Sequence, residues 1–241
     1  SVMFAIYSNV AKILPFDILL TSFMTVLVPY ITRQIAQERY GDAVSTYRSY
    51  LEISYISTAL LACGVLSAAP EAMQLLYSEK YLSGLPVFCV YIINDIFHFA
   101  NITLILSASG KTKLLMRLGF VGLAANFVLN ILLYHLLGVV GPALATLLVS
   151  LGLGVCILHF SAQQLRASMR ELFDRKYLLM FSLECVCGAA AFSVVRYWLC
   201  AAGVHYLAVL VIIGAGYVLC VGLPNRKHFM RALKQISALK S

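Results

Sequence analysis

Apolar stretches of roughly 20 residues, the length a helix needs to cross the hydrocarbon of a bilayer, recur along this chain between short clusters of charge. That spacing leaves few folds open, because a backbone in hydrocarbon must satisfy its own N–H and C=O groups, and long apolar segments do so as helices. Composition agrees. The chain is 61% hydrophobic and 12% charged, whereas a soluble domain usually carries about 25% charge and needs it to coat its surface. The reading is all-α: a polytopic membrane protein of about seven transmembrane helices, expected over 3–31, 50–69, 82–108, 114–137, 139–160, 177–199 and 204–223.

The positions of the basic residues orient these spans. Arg33, Arg39 and Arg48 lie between the first two, Lys111, Lys113 and Arg117 between the third and fourth, and Arg166, Arg170, Arg175 and Lys176 between the fifth and sixth. Arg226, Lys227, Arg231, Lys234 and Lys240 follow the last. With seven spans all of these fall on one side, fifteen of the eighteen Lys and Arg residues. The opposite loops hold Lys80, with Arg196 near an edge, and Lys12 is inside a span. Basic loops face the cytoplasm, so the N-terminus is expected outside and the C-terminus inside. The net charge of +8 flanks the spans instead of forming one basic face, which argues for the lipid bilayer and against nucleic acid as the partner. Beyond Pro224, Phe229, Met230, Leu233, Ile236 and Leu239 recur at roughly helical spacing in a basic tail. The tail is expected either on the anionic inner leaflet or in solvent.

No enzyme signature appears: no phosphate loop, HExxH or GxSxG, and no carboxylate pair placed for acid–base work. The seven cysteines form no CxxC pair. Cys185 and Cys187, two apart on a helix, point to separate faces, so neither a metal site nor a disulfide is expected.

Ionisable and amide groups inside spans are expensive and so mark an interior, a cavity or a partner helix. The first span holds Lys12 and Asp17, with Pro15 inviting a kink between them. A lumen-lining cation for an anionic substrate and a structural ion pair are both open there. The third carries Asn94, His98 and Asn101 on one helical stripe with Asp95 at its edge. That stripe is read as facing a cavity, and Asp95 with His98 offers groups for proton or cation coupling. In the fourth span Asn126, Asn130 and Tyr134 share a stripe suited to interhelical hydrogen bonds, with Asn126 and Asn130 also candidates to line a lumen, and Gly119 and Gly122 allow close approach. Glu184 and Arg196 in the sixth need partner helices or lipid head groups.

Several motifs occur in a familiar order. Tyr7 to Lys12 (YSNVAK) leads to Leu27-Val28-Pro29-Tyr30-Ile31-Thr32-Arg33, then Ser109-Gly110-Lys111-Thr112-Lys113, then Asn126 and Asn130 ahead of Gly138-Val139-Val140-Gly141-Pro142-Ala143-Leu144-Ala145-Thr146. Together they resemble Wzx-type polysaccharide flippases of the MATE-like multidrug/oligosaccharidyl-lipid/polysaccharide exporter superfamily. Pro142 departs from the small residue usual there, and fits the first turn of a helix. The resemblance implies five helices of a C-terminal lobe over 1–160, a basic cytoplasmic loop at 161–178, two added spans at 179–223 and a basic tail at 224–241. It implies a bacterial inner-membrane transporter moving an undecaprenyl-diphosphate-linked oligosaccharide by alternating access. Lys12 is then the residue best placed to serve a cationic lumen. The N-terminal lobe is expected in a longer protein, and other polysaccharide-assembly membrane proteins are candidate partners. No cofactor is implied; H+ or Na+ are the coupling ions left open. The alternatives are a peptidoglycan-precursor flippase or a cation-coupled drug antiporter of the same superfamily. A membrane-embedded polymerase or glycosyltransferase is a further alternative, weakened by the absence of a large loop.

Overall fold

The computed structural model describes residues 18–237, which among themselves form helices and turns and no strand. Lys12 and Asp17 lie outside the described residues. The helices are α1 (Ile18–Ala36), α2 (Tyr40–Ser67), α3 (Ala69–Tyr77), α4 (Leu85–Phe97), α5 (Leu104–Ala108), α6 (Thr112–Leu137), α7 (Gly141–Gln164), α8 (Arg175–Ala201), α9 (Tyr206–Tyr217) and α10 (Leu223–Ser237). Four helical stretches of the described residues are long and apolar enough to cross a membrane: Tyr40–Ser67, Thr112–Gln164, Arg175–Ala201 and Tyr206–Ile236. The second of these folds back on itself at the Gly138–Val140 turn and contains two of the expected spans. A Cβ on Gly122 would meet the Leu153 side chain, and these two positions are nearly equidistant from the turn, as an antiparallel hairpin requires. Gly119 has open space around it, so only Gly122 marks the close approach.

Helix α2 is the hub. Of its apolar stretch 61% is buried, against 11% for the α6–α7 hairpin and 11% for α8. The hairpin and α8 present Phe120, Leu123, Phe127, Leu179 and Leu183 outward, as helices solvated by lipid do. Helix α2 also starts at Tyr40, well before the expected position 50. No Gly or Pro interrupts 42–50, Asp42 sits in the first turn, and the helix simply extends past its apolar part.

The third expected span is not one helix. After α4 the chain leaves helical geometry, and it resumes only for the five residues of α5. The last span differs in the opposite way, running on into the tail. Helices α9 and α10 are joined by a π-helical turn, Val218–Gly222, placed where Pro224 cannot donate to the carbonyl one turn back and crowds it. Much of the apolar stripe of α10 packs on protein: Ala232 and Ile236 are buried in a cluster with Leu27, Ile31, Ala43 and Tyr47, with Phe229 and Leu233 packed against it, while Met230 is exposed. Leu239 lies outside the described residues.

The packing gathers the basic connections at one end. The same cluster includes Leu165 and Leu172 from the α7–α8 connection and Ile105 of α5. Arg166 turns in the left-handed region (φ 52°) and places its guanidinium 4.5 Å from the Tyr40 ring. Arg48 meets Glu52 at 3.0 Å and Asp174 at 3.5 Å. The basic-poor connections gather in other clusters, where Ala69, Met73 and Phe88 pack with Ala143, and Ala68 packs with Val209 and Ile213.

Candidate functional site

The break between α4 and α5 is the feature most suited to function. In transporters, interrupted helices occur where backbone lines a cavity, and their freed polar groups need partners. Residues 98–103 read His-Phe-Ala-Asn-Ile-Thr. Asn and Thr offer the backbone local alternatives to helix, and here the Thr103 hydroxyl donates to Asn101 Oδ1 at 2.5 Å. Two tyrosines of α2 hold the opened backbone. The Tyr47 hydroxyl donates to the Ile102 carbonyl at 3.1 Å, and the Asn101 N–H donates to the Tyr50 hydroxyl at 2.9 Å. Both rings are buried in the core, so the break is fixed by packing and is not a frayed end.

This geometry divides the expected polar stripe. Asn94 and Asp95, in the last full turn of α4, are 1% and 3% exposed. His98 caps that helix and is exposed, as is Asn101 inside the break. The Asn94 amide and His98 Nδ1 approach to 3.0 Å, a one-turn contact that survives the interruption. Asn94 Oδ1 finds no hydrogen-bond partner among the described residues. The site thus has a buried polar floor, Asn94 and Asp95, and an exposed rim of His98, Asn101 and open backbone. Such a rim can bind polar groups by hydrogen bonds.

Asn126 and Asn130 do not join this site. Asn130 Nδ2 donates to Asn126 Oδ1 at 2.8 Å within α6, so the contact is intrahelical, where an interhelical one was expected. Tyr134 is 54% exposed. Glu184 and Arg196 of α8 both find partners on other helices. Arg196 Nε lies 2.7 and 2.9 Å from the Glu71 carboxylate of α3, and Glu184 Oε2 accepts from Asn225 Nδ2 at 2.7 Å. Among the described residues no group of three or more His, Cys, Asp or Glu side chains is placed to hold a metal, and the seven cysteines are free thiols.

Sequence reasoning missed Tyr47 and Tyr50. Their only signal is a spacing of three in the polar first half of the helix, which says nothing of a partner 50 residues later. Replacing Tyr50 by Phe keeps the ring and removes the acceptor for the Asn101 N–H. The bond is only part-buried and Asn101 is exposed, so water takes up part of the loss and the expected cost is about 0.5–1.5 kcal/mol, that of an ordinary hydrogen bond. Amide hydrogen exchange should rise at Asn101 and Ile102 and stay unchanged in α6.

The model of the lipid II flippase MurJ family matches residues 1–215 of the chain. No curated protein and no solved structure matches it.

Proposed function

Because the chain belongs to the lipid II flippase MurJ family, a family of transporters for lipid-linked precursors, we propose that its cargo is lipid II, the peptidoglycan precursor, carried across the bacterial inner membrane. The observation that carries this reading is the extent of the family match, residues 1–215, which includes both the broken span and the hairpin. It favours the peptidoglycan precursor over the polysaccharide repeat unit that the sequence motifs suggested. The two cargoes share a polyprenyl diphosphate and differ in the attached sugar, so motifs in the helical scaffold are compatible with either.

In this reading the helices through α7 form one lobe, with α8 and the α9–α10 rod added to it. The basic end faces the cytoplasm, where the anionic precursor is loaded. The rim at His98, Asn101 and the open backbone of 98–103 contacts the polar part of the cargo, while the apolar hairpin and α8 face lipid. His98 and Asp95 are the groups available for ion coupling. Lys12, outside the described residues, is the candidate cation for the diphosphate.

Rescue experiments separate the cargoes. The protein should restore growth to cells depleted of their own peptidoglycan-precursor flippase, and should leave a strain lacking its polysaccharide-unit flippase without surface polysaccharide. The reverse pattern would assign the polysaccharide unit instead.

A further inference from the structure

Glu184 is an ionisable group inside an apolar span that the broken helix does not use. It stands nine residues from the start of α8 at Arg175, about 13 Å along the helix axis. Its neighbours Met180, Leu183 and Val186 are 54%, 65% and 61% exposed, and Glu184, itself exposed, emerges among them on an apolar surface. The ion pairs among the described residues lie elsewhere, at Arg48 and Arg196. Its recorded partner is neutral: Asn225 Nδ2, at 2.7 Å from Oε2.

Asn225 is itself locked. It is 7% exposed, its Oδ1 accepts from the Tyr177 hydroxyl at 3.1 Å, and its Nδ2 also donates to the Val221 carbonyl at 3.0 Å. These two contacts fix which way the amide faces, so it presents a donor, never an acceptor, to Glu184. The Val221 carbonyl belongs to the π-helical turn, and the widened backbone thus helps to aim the donor. Around this pair the titratable groups are Tyr177 and Cys185 on α8, Glu52 of α2 beyond Tyr177, and His228 of α10 stacked 4.1 Å from the Tyr177 ring. One carboxylate oxygen is therefore held by a fixed neutral donor, in a residue that is exposed on a surface that penalises charge.

We propose that Glu184 is a proton-binding site within the membrane. The proton is taken up on the oxygen that Asn225 does not hold, at the joint between α8 and the last helix. This inference does not depend on the identity of the cargo.

Carbodiimides test it, since they add to the protonated carboxyl and rearrange to a stable N-acylurea that retains every atom of both reactants. The intact protein in lipid vesicles is treated with a membrane-soluble and with a water-soluble carbodiimide across a range of pH, and modified peptides are identified by mass spectrometry. Glu184 should be labelled by the membrane-soluble reagent, with labelling lost as pH rises, and should escape the water-soluble one. Glu38 and Glu171, exposed in the connections, should show the opposite preference. The proposal is overturned if Glu184 behaves as those two do, or if it remains unlabelled at acidic pH.

Discussion

Gly141→Ala is expected to destroy the α6–α7 hairpin. The added Cβ would clash with the Leu133 carbonyl oxygen and carbon and lie 2.6 Å from the Tyr134 backbone nitrogen. All three are main-chain atoms of the neighbouring helix, so no side-chain rotation relieves the clash. Either α6 or α7 must move at the turn, and the packing of Leu153 over Gly122 goes with it. Overpacking costs typically 1–3 kcal/mol and occasionally more; with only backbone to yield, a loss of about 3 kcal/mol or greater is expected. A matched control lies eleven residues on in the same helix. Gly152 has nothing within 4 Å of its would-be Cβ, so Gly152→Ala should leave stability unchanged or raise it by up to about 1 kcal/mol through helix propensity. Thermal unfolding in detergent measures both. Equal melting of Gly141→Ala and the parent protein would show that the turn is not as tight as described.

Arg196→Ala is expected to be nearly as damaging, for an electrostatic reason. The guanidinium approaches both oxygens of Glu71, and the Glu71 side chain is only 6% exposed while that of Arg196 is 28% exposed. Removing the arginine leaves a largely buried carboxylate with only the weak Cys200 thiol donor, at 3.5 Å, among the described residues. Breaking a buried pair costs about 3–5 kcal/mol, and the partial exposure of Arg196 places this one near the lower limit, about 3 kcal/mol. Glu71→Gln should cost less, since the arginine left behind has access to solvent. Replacing both by apolar residues of similar size, Glu71→Leu with Arg196→Met, should recover most of the loss, because two desolvated charges disappear together. A double-mutant cycle read by thermal unfolding decides the matter. Additive losses would mean that the two residues do not act as a pair.

The sequence was most legible where one physical effect dominates. Helices α6, α7 and α8 begin and end within a few residues of the apolar stretches that predict them, because hydrophobicity alone sets where such segments lie. The alternation of basic and neutral connections reappears as their gathering at one end. The broken span was not legible. Residues 98–103 contain no Gly or Pro, and the interruption depends on hydroxyls from Tyr47 and Tyr50. A local reading therefore ran the helix through and drew Asn94, His98 and Asn101 as one stripe. The tail shows a related limit. Its apolar spacing is plain, but whether Phe229, Leu233 and Ile236 meet lipid or protein is decided by α2, far away in sequence. Arg196 was recognised as a charge in need of a partner, whereas Glu71, close to the proline that opens α3, gave no sign that it would be that partner.

The cargo is tested most directly by following lipid II itself. In cells depleted of their own lipid II flippase, an externally added reagent that modifies lipid II only on the outer leaflet should find almost none. Expression of the protein should make the precursor accessible again and lower the pool retained inside. Lipid II that stays inaccessible, with the protein present in the membrane at normal amount, would contradict its assignment as the cargo.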